Sequence, residues 1–111
     1  GEQVNQRDVL EYEDLRIDLH KRRVLLNGQA LDLTVKEYDL LAVFAKNPGR
    51  AYSRHDLLGL VWGYQFDGYD HTVNSHINRL RSKIERDPSN PRYIRTVWGH
   101  GYRFAELDEL T

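Results

Sequence analysis

The sequence predicts an α+β domain in which an N-terminal antiparallel sheet leads into three helices and a C-terminal β-hairpin. Three observations carry this. Leu15, Ile17 and Leu19 alternate with Arg16, Asp18 and His20 ahead of an Asn27-Gly28 pair, the pattern of half-buried strands and a tight hairpin. Two capping signals, at Thr34 and Ser53, and an apolar stripe at Val73, Ile77, Leu80 and Ile84 mark three helices. RYIRTVWGHGYRF (92–104) then holds two β-rich runs around a glycine-bearing turn. At 111 residues, with 3 Phe, 7 Tyr and 2 Trp, the chain suits one domain with a modest core, and 30% charged residues is an ordinary solvated coat.

In chain order, residues 1–9 (GEQVNQRDV) have little to bury and read as a linker or terminal segment, with the domain over 10–106 and a tail at 107–111. The strand at Leu15 and the run RRVLLNGQALDL pair around Asn27-Gly28, where both turn positions need positive φ. Thr34 and Glu37 form a capping box that opens the first helix, which Tyr38, Leu41, Ala42 and Ala45 continue and Asn47-Pro48-Gly49 ends. Ser53 with Asp56 opens a short second helix through Leu57, Leu58, Leu60 and Val61, which Gly63 stops. The segment 63–70, GYQFDGYD, is a loop with an unusual aromatic load. HTVNSHINRLRSKIE (His71 to Glu85) is the third helix, closed by DPSNP. The hairpin turn is expected at Trp98-Gly99-His100-Gly101.

Several functional classes find no support. No run approaches the roughly 20 apolar residues of a membrane helix, and residues 1–9 lack a signal-peptide core, so the expectation is a cytoplasmic protein without membrane attachment. The absence of Cys removes disulfides and thiolate ligands. His20, His55, His71, His76 and His100 have no zinc-type spacing, and His71 and His76 lie about 140° apart around a helix, so no metal is expected. Ser53, His55 and Asp56 carry the letters of a hydrolase triad, but Ser and Asp there have capping roles. With no glycine-rich phosphate loop either, neither a cofactor nor an enzyme activity is expected.

Charge distribution points to nucleic acid. The net charge is −1, yet residues 71–104 hold seven Lys or Arg (Arg79, Arg81, Lys83, Arg86, Arg92, Arg95, Arg103) against Glu85 and Asp87, leaving +5 here and −6 elsewhere. At about 100° per residue, the apolar stripe of the third helix turns His71, Ser75, Asn78, Arg79, Ser82 and Arg86 away from the core and puts Asn74, His76, Arg81 and Lys83 on the flanks. That outward side carries amide, hydroxyl and guanidinium groups, which address base edges, and has no carboxylate before Glu85. An ordinary solvated helix has a polar face too, and the basic hairpin and short preceding helix are what favour DNA. The alternative is a protein-interaction module, since fold alone does not settle function, but such a helix should expose aromatic or aliphatic anchors, which this face lacks. RNA readout favours aromatic stacking platforms, also missing there.

In order and spacing, LTVKEYDLL, SRHDLL, VWG, DHTVNSHINRLRSKIE and TVWGHGYRF resemble the winged-helix effector domains of OmpR/PhoB-type response regulators, from about Leu15 to Phe104. The resemblance implies a winged helix-turn-helix: a four-stranded N-terminal antiparallel sheet, three helices with the third in the major groove of double-stranded DNA, and a C-terminal β-hairpin wing. Carried over by position, Asn74, Ser75, Asn78 and Arg79 match base-reading sites, while Trp62, His71, His76, Arg81, Thr96 and Tyr102 match positions at the phosphate backbone. For Trp62, plain packing on the third helix is the competing reading. Loop 63–70 matches the segment through which relatives contact RNA polymerase. A receiver domain, a sensor kinase, direct-repeat sites and a nucleoid-associated location in a bacterial cytoplasm are further implications. Trp98 stands where the family usually carries an Arg that lies in the minor groove, and His71 and Asn78 also stand where Arg is frequent. Trp98 is then expected against a sugar or packed at the wing base, and His100 is an exposed turn residue or a phosphate partner.

Overall fold

The computed structural model describes residues 8–66 and 68–110. Four short strands, β1 (Val9–Tyr12), β2 (Leu15–Asp18), β3 (Arg23–Leu26) and β4 (Gln29–Ala30), form an antiparallel sheet in sequential order. Asn27 and Gly28 are the two turn residues between β3 and β4, both at positive φ (53° and 80°), with Leu26 opposite Gln29. Leu15 and Ile17 point inward with no exposed surface.

Helix α1 (Val35–Lys46) begins as the capping box requires: Thr34 Oγ1 accepts from the Glu37 N–H and Glu37 Oε1 from the Thr34 N–H. Tyr12 at the end of β1 donates its hydroxyl to Ala45 O at the end of α1 (2.7 Å) and stacks obliquely on Phe104, so the first sheet closes over the core. Ser53 caps α2 (Arg54–Leu57), whose backbone widens into one π-helical turn, Leu58–Trp62, before Gly63. Helix α3 runs Asp70–Ile84, one residue earlier at its start than expected and ending before Glu85, which leaves helical geometry.

A second sheet joins β5 (Ala51–Tyr52), β7 (Gly101–Phe104) and β6 (Ile94–Val97) in that spatial order. The expected layout of four-stranded sheet, three helices and wing is therefore present, with β5 as an additional strand. Two residues are too short to show alternation, so β5 had no periodic signal. Gly101, expected in the turn, opens β7. A Cβ there would meet Tyr52 O at 2.0 Å, so only glycine lets the wing strand approach β5.

At both ends, residues next to the expected domain bounds are folded into elements. Of the expected linker, residues 1–7 lie outside the described residues, and Val9 belongs to β1. Of the expected tail, Thr111 lies outside them, whereas Leu107–Glu109 form a 3-10 turn and Leu110 is only 4% exposed within the core. A bidentate Arg103–Glu109 pair (2.6 and 2.9 Å) draws this segment in, a contact six residues apart that helix or strand periodicity does not register.

Candidate nucleic-acid interface

Val73, Ile77, Leu80 and Ile84 are buried, each worth about 1.5–3 kcal/mol relative to an exposed side chain, and they seat α3 against α1 and α2. The opposite face is then necessarily turned to solvent. His71, Ser75, Asn78, Arg79 and Ser82 are exposed, and Asn74, His76, Arg81 and Lys83 lie half-buried on the flanks. Arg86 falls beyond the helix end.

The polar groups on this face are already partly oriented. Ser75 donates its hydroxyl hydrogen to His71 O (3.0 Å), which leaves its oxygen as an acceptor. Asn74 accepts from Tyr102 Oη at its Oδ1 (2.8 Å). Asn78 and Arg79 extend from the middle of the face, exposed, and their side chains have no hydrogen bond or ion pair to other described residues.

The expected phosphate residues divide between two flanks. On the wing side, Arg81 donates through Nε to Ile94 O (3.0 Å) and through Nη2 to Thr96 Oγ1 (2.9 Å), with its guanidinium over the Tyr102 ring. Burial pushes the Arg81 pKa down while Tyr102 and Glu85 oppose the shift, and the group stays charged with Nη1 open. Thr96 lies opposite Tyr102 on the neighbouring strand and keeps its own hydroxyl hydrogen free to donate. Tyr102, on the same flank, gives its single hydroxyl hydrogen to Asn74. On the loop side, Trp62 meets His76 edge-on (4.9 Å between centroids) and Phe66 obliquely (6.4 Å). Trp62 thus packs on α3 while its indole N–H has no hydrogen-bond partner among the described residues. The Nδ1–H of His76 faces Thr72 O at 2.8 Å, which holds the ring and leaves Nε2 for another partner. His71 stacks on Tyr69 at the start of α3, apart from both groups.

Trp98 is 95% exposed at the wing tip, which removes the reading that it packs at the wing base. His100 shares the tip and lines, with Arg54, Asn74, Thr96 and Tyr102, a groove of about 250 Å³ between wing and helices. Arg54 was missed by the sequence reading. A cation at the first position of a helix opposes the helix dipole, and that mismatch was the available signal.

Two further residues were misread. Glu85, counted as the first outward carboxylate, is buried and accepts backbone N–H groups of Arg92 (2.7 Å), Tyr93 (3.0 Å) and Ile94 (2.9 Å). It ties the end of α3 to the start of β6 and so sets where the wing stands relative to the helix. Lys83, expected beside phosphates, donates to Glu37 Oε1 (2.6 Å) and Asp32 O (2.9 Å) at the start of α1. Helix α3 has no carboxylate between His71 and Lys83, and its exposed carboxylate is Asp70 at the first position.

In loop 63–70, Tyr64 (78% exposed) and Tyr69 are open to solvent and Phe66 leans on Trp62, while Asp67 lies outside the described residues. Among the described residues no helix is long and apolar enough to cross a membrane, and no group of three His, Asp or Glu is placed to hold a metal.

Comparison with known proteins gives a consistent set of relatives. The family model described as "Transcriptional regulatory protein, C terminal" matches residues 28–104. The transcriptional regulatory protein SrrA of Staphylococcus aureus is 46% identical over 99 residues, which cover 88% of this chain and 41% of SrrA. The response regulator DrrB, a Thermotoga maritima OmpR/PhoB homologue, superposes with a TM-score of 0.84 at 36% identity, over 89% of this chain and 45% of DrrB. The RstA DNA-binding domain of Klebsiella pneumoniae, solved in complex with the RstA box, superposes with a TM-score of 0.79 at 34% identity, over 87% of this chain and 96% of that domain. The chain thus spans less than half the length of SrrA and of DrrB.

Proposed function

Because the chain belongs to the family of transcriptional regulatory protein C-terminal domains, in its OmpR/PhoB winged-helix form, we propose that it binds double-stranded DNA sequence-specifically as the output domain of a two-component response regulator. The observation that carries this is the exposed face of α3, where Ser75, Asn78 and Arg79 stand with Asn74 and the nearby carboxylates of Glu37 and Glu85 are turned inward. Such a face presents donors and acceptors to base edges without repelling phosphates.

Asn74, Ser75, Asn78 and Arg79 read bases. Phosphates are held on one flank by Trp62 and His76, on the other by Arg81, Thr96 and Arg54, and by His71 at the helix start. Tyr102 lines the wing-side flank with its hydroxyl turned to Asn74 and not to a phosphate, and His100 adds a contact at the tip. Trp98, which carries no charge, lies with its ring against the sugar edge of the minor groove. The reading is of binding alone, without catalysis, metal or cofactor.

The partners proposed for the full-length protein are a receiver domain and a sensor kinase, with head-to-tail pairs of this domain on direct-repeat sites. RNA polymerase is the proposed partner of loop 63–70, which the exposure of Tyr64 and Tyr69 supports. The setting is the bacterial cytoplasm, at the nucleoid.

The test is selection of bound duplexes from a random pool, followed by affinity measurements at fixed salt. Arg79→Ala should cost about 1–3 kcal/mol on the selected site, roughly 5–150-fold, and relax preference at one base pair. Equal binding of selected and scrambled duplexes at physiological salt would overturn the reading and leave the protein-interaction module in its place.

A further inference from the structure

We propose that Tyr102, on the wing, is a positioning residue for base readout: it holds the Asn74 amide so that this position of α3 offers DNA a hydrogen-bond donor and not an acceptor. The inference rests on the DNA-binding reading above and goes further, to the chemistry of one specificity position. An asparagine side chain has an acceptor end and a donor end, and rotation by half a turn exchanges them, so an unrestrained Asn addresses either kind of base edge. Here the choice is made inside the protein. Tyr102 Oη lies 2.8 Å from Asn74 Oδ1, and the two residues come from elements 28 positions apart in sequence.

A hydroxyl could also accept from the amide, which would reverse the outcome, and the surroundings decide against that. The Arg81 guanidinium sits 5.3 Å from the centroid of the Tyr102 ring. A cation over a phenol draws electron density from the oxygen, which strengthens O–H donation and weakens acceptance. Arg81 is itself fixed by Ile94 O and Thr96 Oγ1, on the strand paired with that of Tyr102. The chain of contacts therefore runs from Arg81 through Tyr102 to Asn74 Oδ1. Asn74 Nδ2, with its two hydrogens, has no partner among the described residues, and Asn74 borders the groove between α3 and the wing. Its complement in the major groove is an acceptor: purine N7, guanine O6 or thymine O4. Ser75, next along the helix, presents an oxygen acceptor because its hydrogen is bound to His71 O. Adjacent residues thus offer opposite polarity to the DNA.

The experiment is duplex selection from a random pool with the 111-residue chain and its Tyr102→Phe, Asn74→Ala and Asn74→Asp variants, with salt dependence and Tm measured for each. Asn74→Ala should abolish preference at a single base position, where the parent chain favours an acceptor-bearing base. Tyr102→Phe keeps the ring under Arg81 and should broaden that same position, lowering discrimination there by about 5–150-fold, with other positions and the salt slope unchanged. Asn74→Asp should move the preference to a base bearing an exocyclic amino group.

Tyr102→Phe weakening all sequences alike, with the preference at the Asn74 position retained, would overturn the inference and make Tyr102 a phosphate ligand. Unchanged preferences in Asn74→Ala would overturn it while leaving DNA binding intact. No enrichment by the parent chain would overturn the DNA-binding reading and the inference together. Should Tyr102→Phe fail to fold, Asn74→Asp decides: a shift to amino-bearing bases supports the inference, and no shift overturns it.

Discussion

Replacing Lys83 with Met tests whether this lysine serves the fold or the DNA. Lys83 Nζ lies 2.6 Å from Glu37 Oε1, and the Lys and Glu side chains are 35% and 2% exposed. At that separation and an effective dielectric of about 20, the attraction is roughly 6 kcal/mol. Desolvation of both charges and about 2 kcal/mol of lysine rotamer entropy offset much of it. Removing one partner of a fully buried pair costs about 3–5 kcal/mol, and the partial exposure of Lys83 places this pair lower, at about 2–3 kcal/mol. For a domain of this size Lys83→Met should lower Tm by about 8–15 °C. The effect has a pH signature. Burial pushes the Glu37 carboxyl up, but Lys83 and the Thr34 amide outweigh it and hold it below the ordinary 4.5. A depressed carboxyl contributes stability above its unfolded pKa and loses it as pH falls, so the Tm difference should be full at neutral pH and shrink in acid. Adding Glu37→Gln to Lys83→Met should recover part of the loss, because no buried charge is left unpaired. Thermal unfolding across pH and the salt dependence of DNA binding measure both sides. An unchanged Tm with a salt slope smaller by about one would show that Lys83 contacts a phosphate, and would refute the reasoning.

Glu85→Gln removes the carboxylate that gathers three backbone N–H groups, and should cost about 2–4 kcal/mol and speed amide exchange at Tyr93 and Ile94; protection equal to the parent's would show that Glu85 does not anchor β6. Trp98→Ala should leave Tm unaltered, since the ring is 95% exposed, yet weaken DNA binding by about 3–30-fold with the salt slope unchanged, as loss of apolar contact with a sugar requires. Unaltered affinity would detach the wing tip from the DNA. The carboxyl of Glu109 is lowered to about 2, first by the Arg103 hydrogen bond and then by the Glu106 N–H, with Arg95 adding to it. Docking of the C-terminal segment should therefore be complete above about pH 4.5 and be lost as pH falls toward 2, and Glu109→Gln should abolish this acid dependence. Exchange protection at Leu110 as a function of pH reports it, and a profile shared by parent and variant would contradict the assignment.

Most elements were legible because their causes are local. The Asn27-Gly28 turn needs two residues at positive φ, and the capping box at Thr34 and Glu37 needs only the first turn of α1. The outward face of α3 was legible too, since burying Val73, Ile77, Leu80 and Ile84 leaves His71, Ser75, Asn78 and Arg79 no other direction. The site was less legible than the fold. Periodicity places a side chain on a face and says nothing of what waits there. Lys83 and Arg81 both read as flanking cations, yet one is held by α1 and the other by β6.

By itself, then, the sequence determined the two sheets' main turns, the starts of the first two helices and the solvent-facing stripe of α3, all consequences of interactions within a few residues. Only tertiary structure decided that two-residue β5 joins the wing, that Leu110 closes the core, that Glu85 turns inward and that Tyr102 orients Asn74. Each of these depends on a polar or steric contact with a neighbour brought in from another element. A carboxylate or an amide has the same appearance in sequence whether it faces water or three backbone N–H groups, and packing of the assembled chain makes that choice.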